Sequence, residues 1–284
     1  MKPGAMQLVY DLWDELSAFP AGSTDEALIY LMHWFQKHLD VDNVIWLGCV
    51  LMLETKAAKS DPLLGWRLRA RQSFILEKES YRKLVASYFA NEHYGRLTPA
   101  FYRKGNRPDA DVHIGMASRQ NVRGAGTFRI YRMRDGWINY AKFRETEHYR
   151  LYYTEAGIAD RIWITFPVSP KVESIVLLDR HPSSKRKRSN FTQEEADLAG
   201  AALRGAREFH RRLLLAHGLL ANDKPLSPVE RQIVRNLLTG MSEKEIADAI
   251  RLKLPTTHKY ITSLYARFGV KGRAGLMALW LGGK

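Results

Sequence analysis

The sequence predicts an α+β fold in two parts: an N-terminal α/β/α sandwich on an antiparallel sheet at residues 1–218, and an all-α four-helix domain at 226–284, joined by a linker at 219–225. Three observations predict it. Apolar spacing is helical from Ala5 to Asp40, strand-like at Asn43–Glu54 and in runs between 127 and 178, then helical again beyond Phe191. A chain of 284 residues suits two domains at roughly 100–200 residues each. A composition 45% hydrophobic and 11% aromatic is that of a globular chain.

Leu8, Leu12 and Leu16 mark a first helix, and Leu28, Leu31, Phe35 and Leu39 a second, which Thr24, Asp25 and Glu26 start with the charge a helix N-terminus favours. Asn43–Glu54 reads as a buried strand holding Cys49, the single cysteine, as an inert thiol. Asp61–Arg71 is irregular or a short strand, and Phe74–Asn91 a helix. Thr127–Met133, Arg161–Val168 and Val172–Leu178 read as strands, with turns at Asp135-Gly136 and Ser169-Pro170. Glu145–Tyr153 is either a helix or a strand edge. Phe191-Thr-Gln-Glu-Glu195 is a capping box opening one long helix to His217, with Leu198, Ala202, Ala206, Phe209 and Leu213 on one face. Gly218 and Asn222–Pro225 form the linker.

Two more helix starts follow. Ser227-Pro-Val-Glu230 places a hydroxyl at the N-cap, proline at the first helical position and a carboxylate three residues on, a device that stabilises a helix by about 1 kcal/mol. Ser242 with Glu245 repeats it before a short helix carrying Ile246, Ala247 and Ile250. Pro255–Phe268 then has an apolar stripe of Ile261, Leu264 and Phe268, with Thr256, His258, Lys259 and Thr262 off the stripe, and Gly272–Leu281 is a fourth helix. After residue 250 come Arg251, Lys253, Lys259, Arg267, Lys271, Arg273 and Lys284 without one Asp or Glu, half of the net charge of +14. Two short capped helices before a third with a basic polar face are the layout of a DNA-reading unit.

Leu226-Ser-Pro-Val-Glu230, Leu237-Leu-Thr-Gly240, Ser242-Glu-Lys-Glu-Ile246-Ala247, Thr256, Ile261, Leu264 and Arg267-Phe-Gly-Val270 resemble the LuxR-type (GerE-type) helix-turn-helix in order and without gaps. The resemblance covers the last fifth of the chain. It implies that His258, Lys259 and Thr262 face base edges in the major groove, that Lys244, Thr256, Arg267, Lys271 and Arg273 hold phosphates, and that Glu230 is structural. It also implies a homodimer on double-stranded DNA, with Ala274, Met277 and Trp280 of the last helix as dimer contacts. Lys253 stands where the family has a serine cap, Thr257 for a core valine and Tyr260 for a histidine, so base preference does not transfer.

The front of the chain, helices then antiparallel sheet then closing helix, resembles a GAF- or PAS-type sensor, or the domain that precedes the reader in LuxR-type sensors. The whole is then an α/β/α sensor sandwich with an all-α four-helix LuxR-type helix-turn-helix domain behind it. Asp61-Pro62 resembles a dipeptide of the acyl-homoserine lactone pocket, but the tyrosine ahead of it is missing and the later tryptophan and glycine spacing differs. Trp46, Asp61, Trp66, Tyr152 and Trp163 are the expected ligand-binding residues for some other small-molecule effector, with Tyr153 beside them. The alternative is an interaction module without a small ligand.

Other classes are disfavoured. Val44–Leu53 is half of the roughly 20 apolar residues a membrane helix needs, and the start lacks the apolar core of a secretion signal, so a cytoplasmic protein off the membrane is expected. No His pair with helical spacing, thiol pair or Gly-rich phosphate loop occurs, so neither metal, cofactor nor catalysis is expected. Lys185-Arg-Lys-Arg188 is either a solvated loop tip or an auxiliary DNA or partner contact.

Overall fold

The computed structural model describes residues 3–52, 61–75, 77–93, 112–183 and 189–282. The basic block Lys185–Arg188 and Lys284 lie outside the described residues. Packing divides the chain into two units, one built on Met32–Gly205 and the other on Ala206–Lys284 with Asp11–Leu31 packed into it. That division differs from the one drawn through the linker at 219–225.

The first unit holds a five-stranded antiparallel sheet in the order β2-β1-β5-β4-β3. Its strands are β1 (Asn43–Leu51), β2 (Trp66–Ser73), β3 (Arg129–Arg132), β4 (Asp160–Ser169) and β5 (Val172–Arg180). The central strands β1 and β5 are buried almost throughout, as near-continuous apolar runs require of strands covered on both faces. Side chains alternate between faces. Ile45, Leu47 and Cys49 share a core with Trp66, Phe143, Trp163 and Leu177, so Trp46 points to the opposite face. There its indole N–H donates to Ser174 Oγ at 2.9 Å. Trp46 is therefore core and not a ligand residue, because its register puts it behind the sheet.

Asp61 is also reassigned. Its buried carboxylate accepts the amides of Leu63 and Gly65 at 3.1 and 2.7 Å and Arg67 Nη1 at 2.8 Å. It folds the turn that launches β2, in which Leu64 and Gly65 take left-handed φ values of 50° and 86°.

Helices α1 (Pro3–Ala18), α2 (Thr24–Leu39) and α3 (Glu79–His93) match the expected ones to within a few residues. Helix α4 (Met116–Arg123) was not legible, since MASRQNVR buries only Ala117 and Asn121 and has no apolar stripe. Helices α5 (Tyr140–Arg144) and α6 (Glu147–Tyr149) lead into a π-helical stretch, Arg150–Thr154. Glu145–Tyr153 is thus helical in kind, capped by Thr146 and widened at its end, where Glu155 N–H donates to the Arg150 carbonyl at 2.9 Å.

The closing helix is two helices, α7 (Gln193–Arg204) and α8 (Arg207–Ala216). The Gly205-Ala206 pair interrupts it: glycine weakens a helix interior, and Ala206 leaves helical geometry at ψ 42°. Helix α7 lies close on β3, for a Cβ on Gly200 would stand 1.9 Å from Ile130 Cδ1.

The second unit adds α9 (Pro228–Leu237), α10 (Glu243–Ala249), α11 (Leu254–Phe268) and α12 (Arg273–Trp280) around a core of Ile233, Leu237, Ile246, Ile261, Leu264 and Trp280. Both expected capping boxes form, at Ser227 with Glu230 and at Ser242 with Glu245. Within this unit Arg231 Nη2 reaches both carboxylate oxygens of Asp25, at 2.6 and 2.8 Å, and Arg235 pairs with Glu26.

Candidate functional site

Helix α11 is built to present one face outward. Thr257, Ile261, Leu264 and Phe268 are buried against α9 and α10, while Thr256, His258, Lys259 and Thr262 are exposed. Gly269 ends the helix in the left-handed conformation at φ 66°. The three side chains expected at base edges thus share one solvent-facing surface. His258 is steadied by the first turn of α10, its Nδ1 lying 2.9 Å from Glu243 Oε2. Lys244 and Lys271 are exposed and Arg273 half-buried.

Arg267 differs from its expected place. Its guanidinium is turned inward, donating to the Lys224 carbonyl and lying 3.7 Å from Glu230 Oε1. A side chain holding the chain entry to the reader has little reach left for a phosphate, so its role is structural. Trp280 is corrected likewise: it is fully buried, with its ring 5.6 Å from that of Phe268. The outward positions of α12 are Ala274 and Met277, continued by Leu281, which is 76% exposed. Sequence reasoning also missed Arg211, which donates to the carbonyls of Leu279 and Trp280 at 2.5 and 2.8 Å. A cation there satisfies carbonyls that a helix C-terminus leaves unpaired.

Two local features of the turn and helix start are unfavourable. Arg251 adopts a left-handed φ of 56° between α10 and α11, which an L side chain tolerates poorly. Lys253 occupies the N-cap of α11 without any side-chain cap bond. Lys253→Ser is expected to stabilise this unit by about 1 kcal/mol, by accepting the Thr256 amide as Ser227 accepts that of Glu230. A thermal melt in which the midpoint stays put or falls would contradict the capping argument.

The first unit contains a cavity of about 150 Å³. Its floor is the sheet face carrying Ile45, Leu47, Trp163 and Leu177, and its other walls come from α3, α4 and the π-helical stretch. Of the expected ligand residues, Trp66, Tyr152 and Trp163 line it, together with Tyr153. Tyr81, Tyr88, His113, His148, Arg129 and Arg161 line it too and were missed. They come from elements distant in sequence, and only the tertiary fold gathers them.

The polar groups of this cavity are heavily engaged. Arg161 on β4 faces Asp179 on β5, with Nε and Nη2 at 2.5 and 2.7 Å from its two oxygens. Arg129 grips both oxygens of Glu173 at 2.9 and 2.7 Å and donates from Nε to Asn121 Oδ1 at 2.6 Å. Arg71 pairs with Glu77. His148 Nδ1–H donates to the Val112 carbonyl at 2.7 Å, and its ring stacks on Tyr152 at 4.6 Å. Burial pushes this imidazole down to about 4, against the pull of the Val112 bond, so it is neutral at physiological pH. Gly115 makes room for it, since a Cβ there would lie 2.3 Å from His148 Nε2. Tyr152 and His113 are joined at 2.6 Å.

Among the described residues no group of acidic, His and Cys side chains has the makings of a metal site, and no helix is long and apolar enough to cross a membrane.

Comparison with known proteins places the C-terminal domain. Residues 224–279 match the family model described as bacterial regulatory proteins, luxR family. Over 57 residues the chain is 40% identical to the probable HTH-type transcriptional regulator GfsR of Streptomyces halstedii, a stretch covering 20% of this chain and 24% of that protein. The match therefore spans about a quarter of that relative's length. Among solved structures, SdiA in complex with octanoyl-rac-glycerol overlays 99% of this chain and 96% of its own at a TM-score of 0.40 and 11% identity. A crystal structure of Escherichia coli SdiA does so over 98% of each chain at 0.39 and 12%.

Proposed function

We propose that this chain, whose C-terminal domain belongs to the luxR family of bacterial regulatory proteins, is a transcription regulator that reads DNA sequence as a dimer under the control of its N-terminal domain. In this reading residues 1–218 are the sensor, 219–225 the linker and 226–284 the reader, and the protein works in the cytoplasm without catalysis. The observation that carries it is the outward face of α11, where His258, Lys259 and Thr262 stand together and exposed on a helix whose other side is core.

Base edges are the assignment for these three, and phosphates for Lys244, Thr256, Lys271 and Arg273. Base contacts of good geometry discriminate by roughly 1–3 kcal/mol, whereas phosphate contacts add affinity that falls with salt. Ala274 and Met277 are the dimer face on α12. The sensor reading is supported by the aromatic cavity, the feature that distinguishes it from a packed interaction module. Moving the reader from mostly inactive to mostly active takes about 5.5 kcal/mol of differential ligand binding.

Selection of bound genomic fragments by the full-length protein at physiological salt tests the core of this reading: a two-fold motif with half-sites about one helical turn apart is expected, and uniform recovery would overturn it. On the selected site, Lys259→Ala is expected to change base preference. Lys271→Ala is expected to weaken every sequence alike and to lower the salt slope by about one. Equal losses at all sequences from both variants would overturn the division of roles.

A further inference from the structure

We propose that the cavity of the first unit takes an uncharged molecule of about the size of a single aromatic ring and discriminates against carboxylates and amines of that size. The inference deepens the sensor reading above and rests on it.

Charge is the first argument. Among the described residues, three guanidinium groups face the cavity, those of Arg71, Arg129 and Arg161, and each already has its own carboxylate in Glu77, Glu173 and Asp179. The two deeper pairs are doubly bonded, end-on through Nη1 and Nη2 for Arg129 and side-on through Nε and Nη2 for Arg161, which engages both oxygens of each acid. Glu173 Oε1 further accepts the Gly126 amide at 2.8 Å. An entering carboxylate must either displace one of these acids or remain uncompensated in a site of low polarisability. An entering ammonium meets carboxylates that are already neutralised. His148 adds no charge, because burial keeps its imidazole neutral at physiological pH.

Shape is the second argument. Trp66, Trp163, Tyr88, Phe89 and Tyr152 line the wall, and aromatic rings favour aromatic neighbours in edge-to-face or offset contact. A cavity of about 150 Å³ matches the space in which an apolar protein cavity holds benzene.

The test uses para-fluorophenol, para-fluorobenzoate and para-fluorobenzylamine, three molecules with one ring and three charges, titrated into the full-length protein at neutral pH and followed by fluorine NMR. The phenol is expected to bind at least about tenfold more tightly than either ion. Val85→Trp, which fills the wall provided by α3, is expected to abolish that binding. If the benzoate or the amine binds within about threefold of the phenol, the inference falls while the sensor reading stands. If none of the three binds, both fall.

A second variant addresses the charge argument directly without touching the deep pairs. Glu77 lies in the link before α3, and Glu77→Gln keeps its shape while leaving Arg71 at the cavity wall without a counter-charge. Para-fluorobenzoate is expected to gain about tenfold in affinity for this variant, with the melting curve showing the fold intact. Unchanged benzoate affinity would overturn the account of how the cavity selects.

Discussion

Asp179→Ala is expected to destabilise the first unit by about 3–5 kcal/mol, the typical cost of stripping one partner from a buried ion pair. Asp179 and Arg161 are 1% and 4% exposed. The guanidinium cannot shed its proton to escape, because arginine stays charged at any accessible pH. It lies over the rings of Tyr153 and Trp163, with its carbon 4.9 and 5.8 Å from their centroids. Those faces soften the burial of a cation by about 0.5–2 kcal/mol, too little to replace a carboxylate. The intact pair need not stabilise the fold in net terms, since desolvation of both groups offsets most of their attraction. The double variant Arg161→Met with Asp179→Leu is accordingly expected to recover most of the loss. Hydrogen exchange of the β4–β5 amides measures both variants locally. Protection in Asp179→Ala equal to that of the parent, or a double variant worse than the single one, would refute the argument.

The same pair illustrates which features the sequence could reveal. Strands β4 and β5 were legible because each is a mostly apolar run, with Ser169-Pro170 turning the chain between them. Arg161 and Asp179 sit at the ends of those runs and look like ordinary solvated flanks. Strand β2 was half-legible because WRLRARQS alternates arginine with other residues, a pattern that reads as exposed until Arg67 is seen to be buried on Asp61. Trp46, Trp66 and Trp163 were equivalent in sequence. Their roles separated only through register, and β1, buried on both sides, carries no period-two contrast to say which face holds the cavity. Helix starts were the most legible features of all. The capping boxes at Thr192, Ser227 and Ser242 all form, because a cap is settled within four residues and tertiary packing seldom overrides it. The break at Gly205-Ala206 escaped notice because the apolar stripe runs on through it. Arg267 was given to DNA for its charge, and its inward turn depends on a carbonyl 43 positions away in sequence.

Trp280→Glu is expected to unfold the reader rather than to loosen a dimer. The indole is fully buried among Ile233, Leu237, Leu276 and Phe268. Truncating a buried tryptophan costs about 3–5 kcal/mol, and glutamate adds the penalty of an unpaired carboxylate in the same space. A domain of about sixty residues has only about 3–9 kcal/mol to lose, so specific and non-specific DNA binding should vanish together, with the helical signal of the domain. Trp280→Phe is the informative contrast. The indole N–H has no hydrogen-bond partner among the described residues, so phenylalanine forfeits some contact area but removes an unsatisfied donor, and a much smaller loss is expected. Met277→Glu acts at an exposed position of the same helix. Met277 is 38% exposed and Leu281 76%, so the fold should keep its melting point while affinity for a two-half-site operator falls and affinity for a single half-site does not. A folded Trp280→Glu protein would place the tryptophan at the surface. A Met277→Glu protein with an unchanged operator footprint would overturn the proposal that α12 carries a dimer contact.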